Sequence, residues 1–121
     1  MTPGEVFAWA IAAKDADALK NVLSPGLDFK ALTPGRFWEA DSVEATVDEV
    51  LLGSWFDPSD EIEELESVET SNVAGRDRVA YRLRVRNPDG LFLVEQQAYY
   101  DADAGRIHWL RILCAGYQPV S

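Results

Sequence analysis

The residues best suited to chemistry crowd into one stretch, Leu91 to Val120. It holds the only histidine, His108, and the only cysteine, Cys114, together with Gln96, Tyr99, Tyr100 and Trp109. A lone histidine can act as a general base near neutral pH, and a thiol can act as a nucleophile. A Cys–His dyad needs hydrogen-bond reach. Six residues along one strand separate these two by about 20 Å, so a direct dyad is excluded. Cys114 then reads as a small buried apolar residue. No further ligands stand at metal-binding spacing around His108, so neither a metal nor another cofactor is expected.

The same stretch reads as a long β-hairpin. Asp101-Ala102-Asp103-Ala104-Gly105 is its tip. The D-x-D-x-G pattern is also the start of a calcium loop, but the position where that loop needs a bidentate Glu is Ile112. A tip centred near Asp103 sets Glu95 opposite Arg111 and Gln96 opposite Leu110, which places opposite charges directly across the ladder. One face then holds Phe92, Val94, Gln96, Ala98 and Tyr100 with His108, Leu110, Ile112 and Cys114. Apolar walls with a few orienting polar groups are what a small-molecule pocket needs. The other face carries Leu93, Glu95, Gln97 and Tyr99 with Ile107, Trp109, Arg111 and Leu113 and suits a subunit interface or a wet outer sheet.

The elements that must position this ribbon come first in the chain. Thr2-Pro3-Gly4-Glu5 is a helix start with a capping box, and Val6, Phe7, Ala10 and Ile11 follow at helical spacing. Asp15 caps a second short helix that Ser24-Pro25-Gly26 stops. Leu27 to Thr33 alternates as a short strand. Arg36-Phe37-Trp38-Glu39 reads as a loop whose rings either tuck under the core or form a pocket lip. Asp41 caps a third helix, with Glu44 in the reciprocal position and Val43, Val47, Val50 and Leu51 inward. Trp55 and Phe56 fold back at its end.

Strands follow. Ile62, Leu65 and Val68 fit a helix as well as a strand, and the hairpin signals after them favour strand. Arg78 to Arg86 alternates cleanly, with Val79, Tyr81, Leu83 and Val85 on one face and arginines on the other. Acidic Glu61 to Glu69 beside it suggests cross-strand charge pairing; a basic binding stripe is the alternative. Either face of Val79 to Val85 can look inward at this stage. Helices followed by a meander of long strands give an α+β class: N-terminal helices packed in a strongly curved antiparallel sheet, a cone-shaped α+β barrel with one open end.

The bulk numbers fit that reading. A chain of 121 residues argues for one domain, spanning residues 1–121. Apolar residues make up 47 %, enough for a core. A formal net charge of −10 repels phosphate backbones and anionic bilayers, so no nucleic acid and no membrane partner is expected. One cysteine excludes an intrachain disulfide. Neither a signal-peptide pattern nor a membrane-length apolar run is present, so the expected localisation is cytoplasmic.

The order of elements, with the segment Asp101-x-x-x-Gly105-Arg106-Ile107-x-Trp109-Leu110-Arg111-Ile112, resembles the nuclear transport factor 2-like superfamily, which includes SnoaL-like polyketide cyclases and ketosteroid isomerases. The resemblance covers nearly the whole chain. It implies a cone with a pocket at its open end and a homodimer through the outer sheet face, here Glu95, Trp109 and Arg111. The family's catalytic positions fall on Trp9, Leu32, Gln96 and Ile112. With those acids absent, the first expectation is a SnoaL-like binding domain. It would hold a small apolar or polyketide-like molecule against Trp9, Trp38, Phe92, Tyr100 and Leu110, oriented by Gln96 and His108. The alternative is a cyclase, isomerase or hydratase with His108 as catalytic base. A third is an interaction domain whose cone is filled by its own aromatics.

Overall fold

The N-terminal capping box forms as its residues dictate. Thr2 Oγ1 accepts from Glu5 N–H at 3.1 Å, and Glu5 Oε1 accepts from Thr2 N–H at 2.8 Å. The structure is a computed structural model that describes residues 1–120. Helix α1 (Pro3–Ala13) buries Phe7, Ala8, Ala10 and Ile11 and ends on Lys14 in the left-handed region, φ 50°. Asp15 caps α2 (Ala16–Val22) through a 3.0 Å bond from Ala18 N–H. Strand β1 (Leu23–Thr33) begins earlier than the sequence suggests, and Leu27, Phe29 and Ala31 are buried on one side as expected.

Arg36 to Glu39 is not a loop. It belongs to strand β2 (Arg36–Ala40), antiparallel to β1 with Leu32 opposite Phe37 and Ala31 opposite Trp38. A two-residue turn closes this hairpin, and Gly35 supplies the φ of +75° that it needs. The third helix also differs from expectation. Ser42, not Asp41, caps it by accepting from Ala45 N–H at 3.1 Å, and Glu44 makes no capping bond. It is wound as a π-helix over Ala45–Trp55. Gly53 permits the wide turn, since a Cβ there would stand 2.3 Å from the Asp48 carbonyl oxygen. Val43, Val47, Val50 and Leu51 face inward.

Strands β3 (Glu61–Val73), β4 (Arg76–Asn87), β5 (Gly90–Asp103) and β6 (Arg106–Pro119) complete one curved, unclosed six-stranded sheet, ordered β2-β1-β6-β5-β4-β3. All neighbours are antiparallel except β1 and β6, which run parallel. The three-residue spacing in β3 has a physical cause. Register shifts between Ile62 and Glu64 and between Leu65 and Ser67 insert extra residues, so Ile62, Leu65 and Val68 lie opposite Val85, Leu83 and Tyr81. A strand with two bulges thus carries a helix-like period on its buried side. On the outer side, Arg82 meets Glu95 at 3.3 Å, Arg84 meets Glu66 at 3.6 Å and Arg86 meets Glu63 at 2.7 Å. These exposed pairs add little stability but neutralise the arginines.

The core lies between the inner sheet face and the helices, and Phe7, Ile11, Phe29, Leu51, Phe56, Leu83 and Leu110 are wholly buried in it. No helix among the described residues is long and apolar enough to cross a membrane.

Candidate functional site

The terminal hairpin exists, but its register differs from the one that charge matching suggests. The turn is Ala104-Gly105, with Asp103 opposite Arg106, Tyr100 opposite Leu110 and Gln96 opposite Cys114. Glu95 pairs with Arg82, and Arg111 pairs with Asp28 at 3.1 Å, so each finds an opposite charge without the other. The register shifts between Asp101 and Ala102, where Asp101 faces Trp109 and Ala102 faces Ile107. His108 is the extra residue. It is exposed while Ile107 and Leu110 on either side are fully buried. His108 therefore does not line the interior, which removes it as a base acting there and as a ligand group.

The other expected wall residues divide. Gln96 is buried with 1 % exposure and faces inward between Val94 and Ala98. Tyr100 is buried too, but its Oη accepts from Gly4 N–H at 3.1 Å, so it anchors α1 instead of lining a cavity. Leu110 is a core residue. Trp9 is 54 % exposed on the outer side of α1, beside Ile62 and Leu65, because the inward stripe of that helix is taken by Phe7, Ala8 and Ile11. Trp38 packs edge-on against Trp55 at 5.9 Å and donates its Nε1–H to Thr33 Oγ1 at 2.8 Å. Phe92 is half-buried and meets Tyr117 edge-on at 5.8 Å. These two brace a wall without forming it.

That wall borders a half-open cavity of about 300 Å³ between the π-helix end, the β1–β2 turn and the bulged end of β6. Its lining is Thr33, Pro34, Ser54, Trp55, Phe56, Gln96, Cys114, Gly116 and Tyr117. Larger depressions lie on the outer surface; one of about 530 Å³ has a charged rim that includes Glu69, Arg78, Arg82 and Glu95. The small cavity is the one with an apolar interior.

Two polar groups there lack a partner. Gln96 Nε2 and Trp55 Nε1 are buried donors that meet no acceptor in the protein. Gln96 Oε1 is satisfied by Tyr81, whose hydroxyl donates to it at 2.6 Å. Burial, with Cys114 nearby, pushes the Tyr81 phenol well above its ordinary range, so it keeps its proton. Tyr81 is inward-facing and 2 % exposed, which settles the face of β4. Cys114 Sγ accepts from Gly116 N–H at 3.4 Å.

Trp55 is held by a clasp behind the cavity. The Tyr117 hydroxyl lies 2.8 Å from Trp55 O and 2.5 Å from Asp60 Oδ2, and the carboxylate of Asp60 also accepts from Asn87 Nδ2 at 3.0 Å. Burial and the bond to Asp60 push the Tyr117 phenol far above its ordinary value. Lys14 Nζ donates to the carbonyls of Asp57 and Asp60 at 2.6 and 2.7 Å and ties the end of α1 to the same loop. Sequence reasoning missed Tyr117 because a second register shift, between Val94 and Gln96, moves it inward. The visible signal was Gly116 inside a strand, which marks a bulge and here adopts φ +87°.

Chemically, the cavity can hold an apolar body. Its lining carries no carboxylate and no histidine. Among the described residues, no group of three or more His, Cys, Asp or Glu is placed to hold a metal ion.

No family model matches the sequence, and no curated protein matches it. Solved structures do. A candidate isomerase from Rhodopseudomonas palustris aligns with a TM-score of 0.70 at 12 % identity, covering 94 % of this chain and 90 % of that one. A candidate polyketide cyclase from Xanthomonas campestris pv. campestris aligns at 0.65 and 16 % identity, covering 90 % and 84 %. An NTF2-like protein of unknown function from Mesorhizobium loti aligns at 0.63 and 18 % identity, covering 94 % and 91 %. At these identities the likeness is one of fold.

Proposed function

From the premise that the chain has the nuclear transport factor 2-like fold, we propose that it is a small-molecule-binding domain. Its ligand is largely apolar, carries an acceptor oxygen, and sits in the cavity walled by Trp55, Phe56, Gln96, Cys114 and Tyr117. The observation that carries this reading is the apolar cavity of about 300 Å³, two of whose wall residues, Gln96 and Trp55, also hold buried donors that meet no acceptor. Buried donors without acceptors cost free energy, about 1–3 kcal/mol each, and a ligand oxygen would remove that cost. The cavity is at the low end of the size range for ligand sites, so the ligand is small. The net charge of −10 and the Asp60 carboxylate behind Tyr117 favour a neutral ligand over an anion. Binding is favoured over catalysis because no general base lines the cavity.

The test is native mass spectrometry of the purified protein for a retained ligand, followed by titration with a neutral aryl ketone such as 2-acetylnaphthalene. Gln96→Leu and Trp55→Phe are each expected to weaken ketone binding roughly 5- to 10-fold. Unchanged affinity in both variants would remove this cavity as the site.

The domain is further proposed to work as a homodimer through its outer sheet face. Glu95, Trp109 and Arg111 all lie on that face, as the alternation with buried Val94, Leu110 and Ile112 requires. Arg76 and Arg111 cover the Trp109 ring at 3.7 and 4.3 Å, so this ring is already shielded. A better centre is one apolar row across three strands. Phe37 lies opposite Leu32, and Leu32 opposite Leu113, with exposures of 59, 50 and 51 %. Outward arginines and glutamates surround it, a mixture that two copies related by a two-fold axis can satisfy mutually. Leu113→Glu is expected to sediment as a monomer at concentrations where the wild type sediments as a dimer. A wild type that is monomeric at high micromolar concentration would end this part of the reading.

A further inference from the structure

We infer that a groove between α1 and β3 docks an arginine-bearing peptide segment of a basic partner protein, with the guanidinium stacked on Trp9 beside the Glu64 carboxylate. The groove has a volume of about 460 Å³. Trp9, Ala12, Ile62 and Leu65 form its apolar floor, and Glu63 and Glu64 stand on its rim. It shares no lining residue with the cavity above, so the two readings stand or fall separately.

Local structure brings the ring and the carboxylates together. The inward stripe of α1 belongs to Phe7, Ala8 and Ile11, which turns Trp9 outward. On β3 the first register shift falls between Ile62 and Glu64, so Glu63 and Glu64, which strict alternation would separate, both border the groove. Glu63 is held by Arg86 at 2.7 Å. Glu64 is exposed and makes no ion pair among the described residues.

A single exposed tryptophan is ordinary. The contrast with the other surface tryptophans is what points to a cation. Arg36 covers Trp38 at 3.6 Å, and Arg76 and Arg111 cover Trp109 at 3.7 and 4.3 Å. The negative face of the ring attracts a cation, and a flat guanidinium also stacks on it. Trp9 is 54 % exposed, and no cation lies on its ring among the described residues. A guanidinium from outside would satisfy the ring and the free carboxylate at once.

A second copy of this chain has none to spare. Arg36, Arg76 and Arg111 lie on the rings just named. Arg82, Arg84 and Arg86 meet glutamates, Arg78 donates to Gln97 and Ser71, and Arg106 donates to the carbonyls of Lys20, Asn21 and Leu23. The net charge of −10 draws a basic partner. The apolar floor beyond the ring favours an apolar side chain next to the cation, which a peptide brings and a small organic cation does not. Each contact is modest at an exposed site, so the docking is weak and sensitive to salt.

The experiment titrates the full chain with a short acetylated and amidated peptide that alternates arginine with valine, by calorimetry and by NMR of the Trp9 indole N–H. The same peptide with citrulline in place of arginine keeps the shape and loses the charge. Wild type is expected to bind the arginine peptide roughly ten-fold more tightly than the citrulline one and to shift the Trp9 signal. Trp9→Leu keeps the floor apolar and is expected to weaken arginine-peptide binding about three- to five-fold, and Glu64→Gln about two- to three-fold. Both side chains are exposed, so neither change threatens the fold. Equal binding of the citrulline peptide overturns the inference, as does an affinity unchanged by Trp9→Leu. Methylguanidinium moving the Trp9 signal at concentrations as low as the peptide needs would assign the groove to a small organic cation instead. A Trp9 signal that moves when the protein alone is diluted would assign it to a second copy.

Discussion

Gly4→Val is expected to lower the unfolding free energy by about 3 kcal/mol, through overpacking and one lost hydrogen bond. Gly4 is buried in the first turn of α1, flush against the sheet. A Cβ built there stands 2.7 Å from Tyr100 Cε1, 2.9 Å from Tyr100 Oη and 2.9 Å from Val79 Cβ. Val79 Cβ is tied directly to backbone and cannot move aside, and Tyr100 is 3 % exposed with no room to swing. The helix would have to lift, and Gly4 N–H would lose its 3.1 Å bond to Tyr100 Oη. Even alanine, worth about 1 kcal/mol in helix preference over glycine, should lose more in the clash than it gains. Denaturant unfolding monitored by circular dichroism checks this, with Gly4→Ala as the milder member of the series. Smaller losses are expected when Gly4→Ala is combined with Val79→Ala than the two single variants sum to, since the pair shares one contact. A Gly4→Val protein as stable as wild type would mean that α1 does not dock on Val79 and Tyr100.

Raising the pH above about 10 is expected to destabilise the fold steeply. Tyr81 and Tyr117 both have folded-state pKa values raised above the ordinary tyrosine value of 10.0, in each case chiefly by burial. Below that value both states hold the phenol protons, and the tyrosines contribute their full share. Above it the unfolded chain releases protons that the folded chain keeps, so the equilibrium moves toward unfolding. Tyr81 alone accounts for about 1.4 kcal/mol per pH unit in this range. Tyr117 keeps part of its ring in water and adds less. Urea midpoints measured from pH 8 to 11.5 should stay level and then fall, and Tyr81→Phe should flatten the fall. A level profile to pH 11.5 in the wild type would show that these phenols are not sheltered in solution.

The architecture was legible in the sequence where local chemistry decides. Thr2 and Glu5 define a helix start whatever lies beyond them, and both bonds of the capping box are present. The alternation from Val79 to Val85 fixes a strand with one wet face, because adjacent side chains must point to opposite sides. Ile62, Leu65 and Val68 were ambiguous for a reason. Their three-residue spacing is true of β3, but bulges produce it, and bulges are chosen by the fit of β3 to β4.

The candidate site was legible only in part. Gln96 was placed on the inward face correctly, since one unbroken alternation runs from Val94 to Tyr100. His108 was not, because it is the extra residue of a bulge and so drops out of the alternation that Leu110 and Ile112 keep. Charge matching chose the wrong register for the same hairpin. Glu95 and Arg111 attract each other in any list of residues, but Arg82 and Asp28 are the charges that the sheet order brings alongside them.

By itself, then, the sequence determined the three helices, that long strands follow them, and that the terminal hairpin has an inner and an outer face, but not the short strand β2. These are matters of period, capping and turn chemistry, which act over a few residues. Only the tertiary structure decided what the hairpin does. It put His108 outside on a bulge and brought Trp55, from the end of the π-helix, and Tyr117, beyond the last bulge, to the same cavity as Gln96. It also set the Tyr81 hydroxyl against Gln96 Oε1. Register and side-chain partners are set by residues far away in the chain, and no pattern within the stretch carries them.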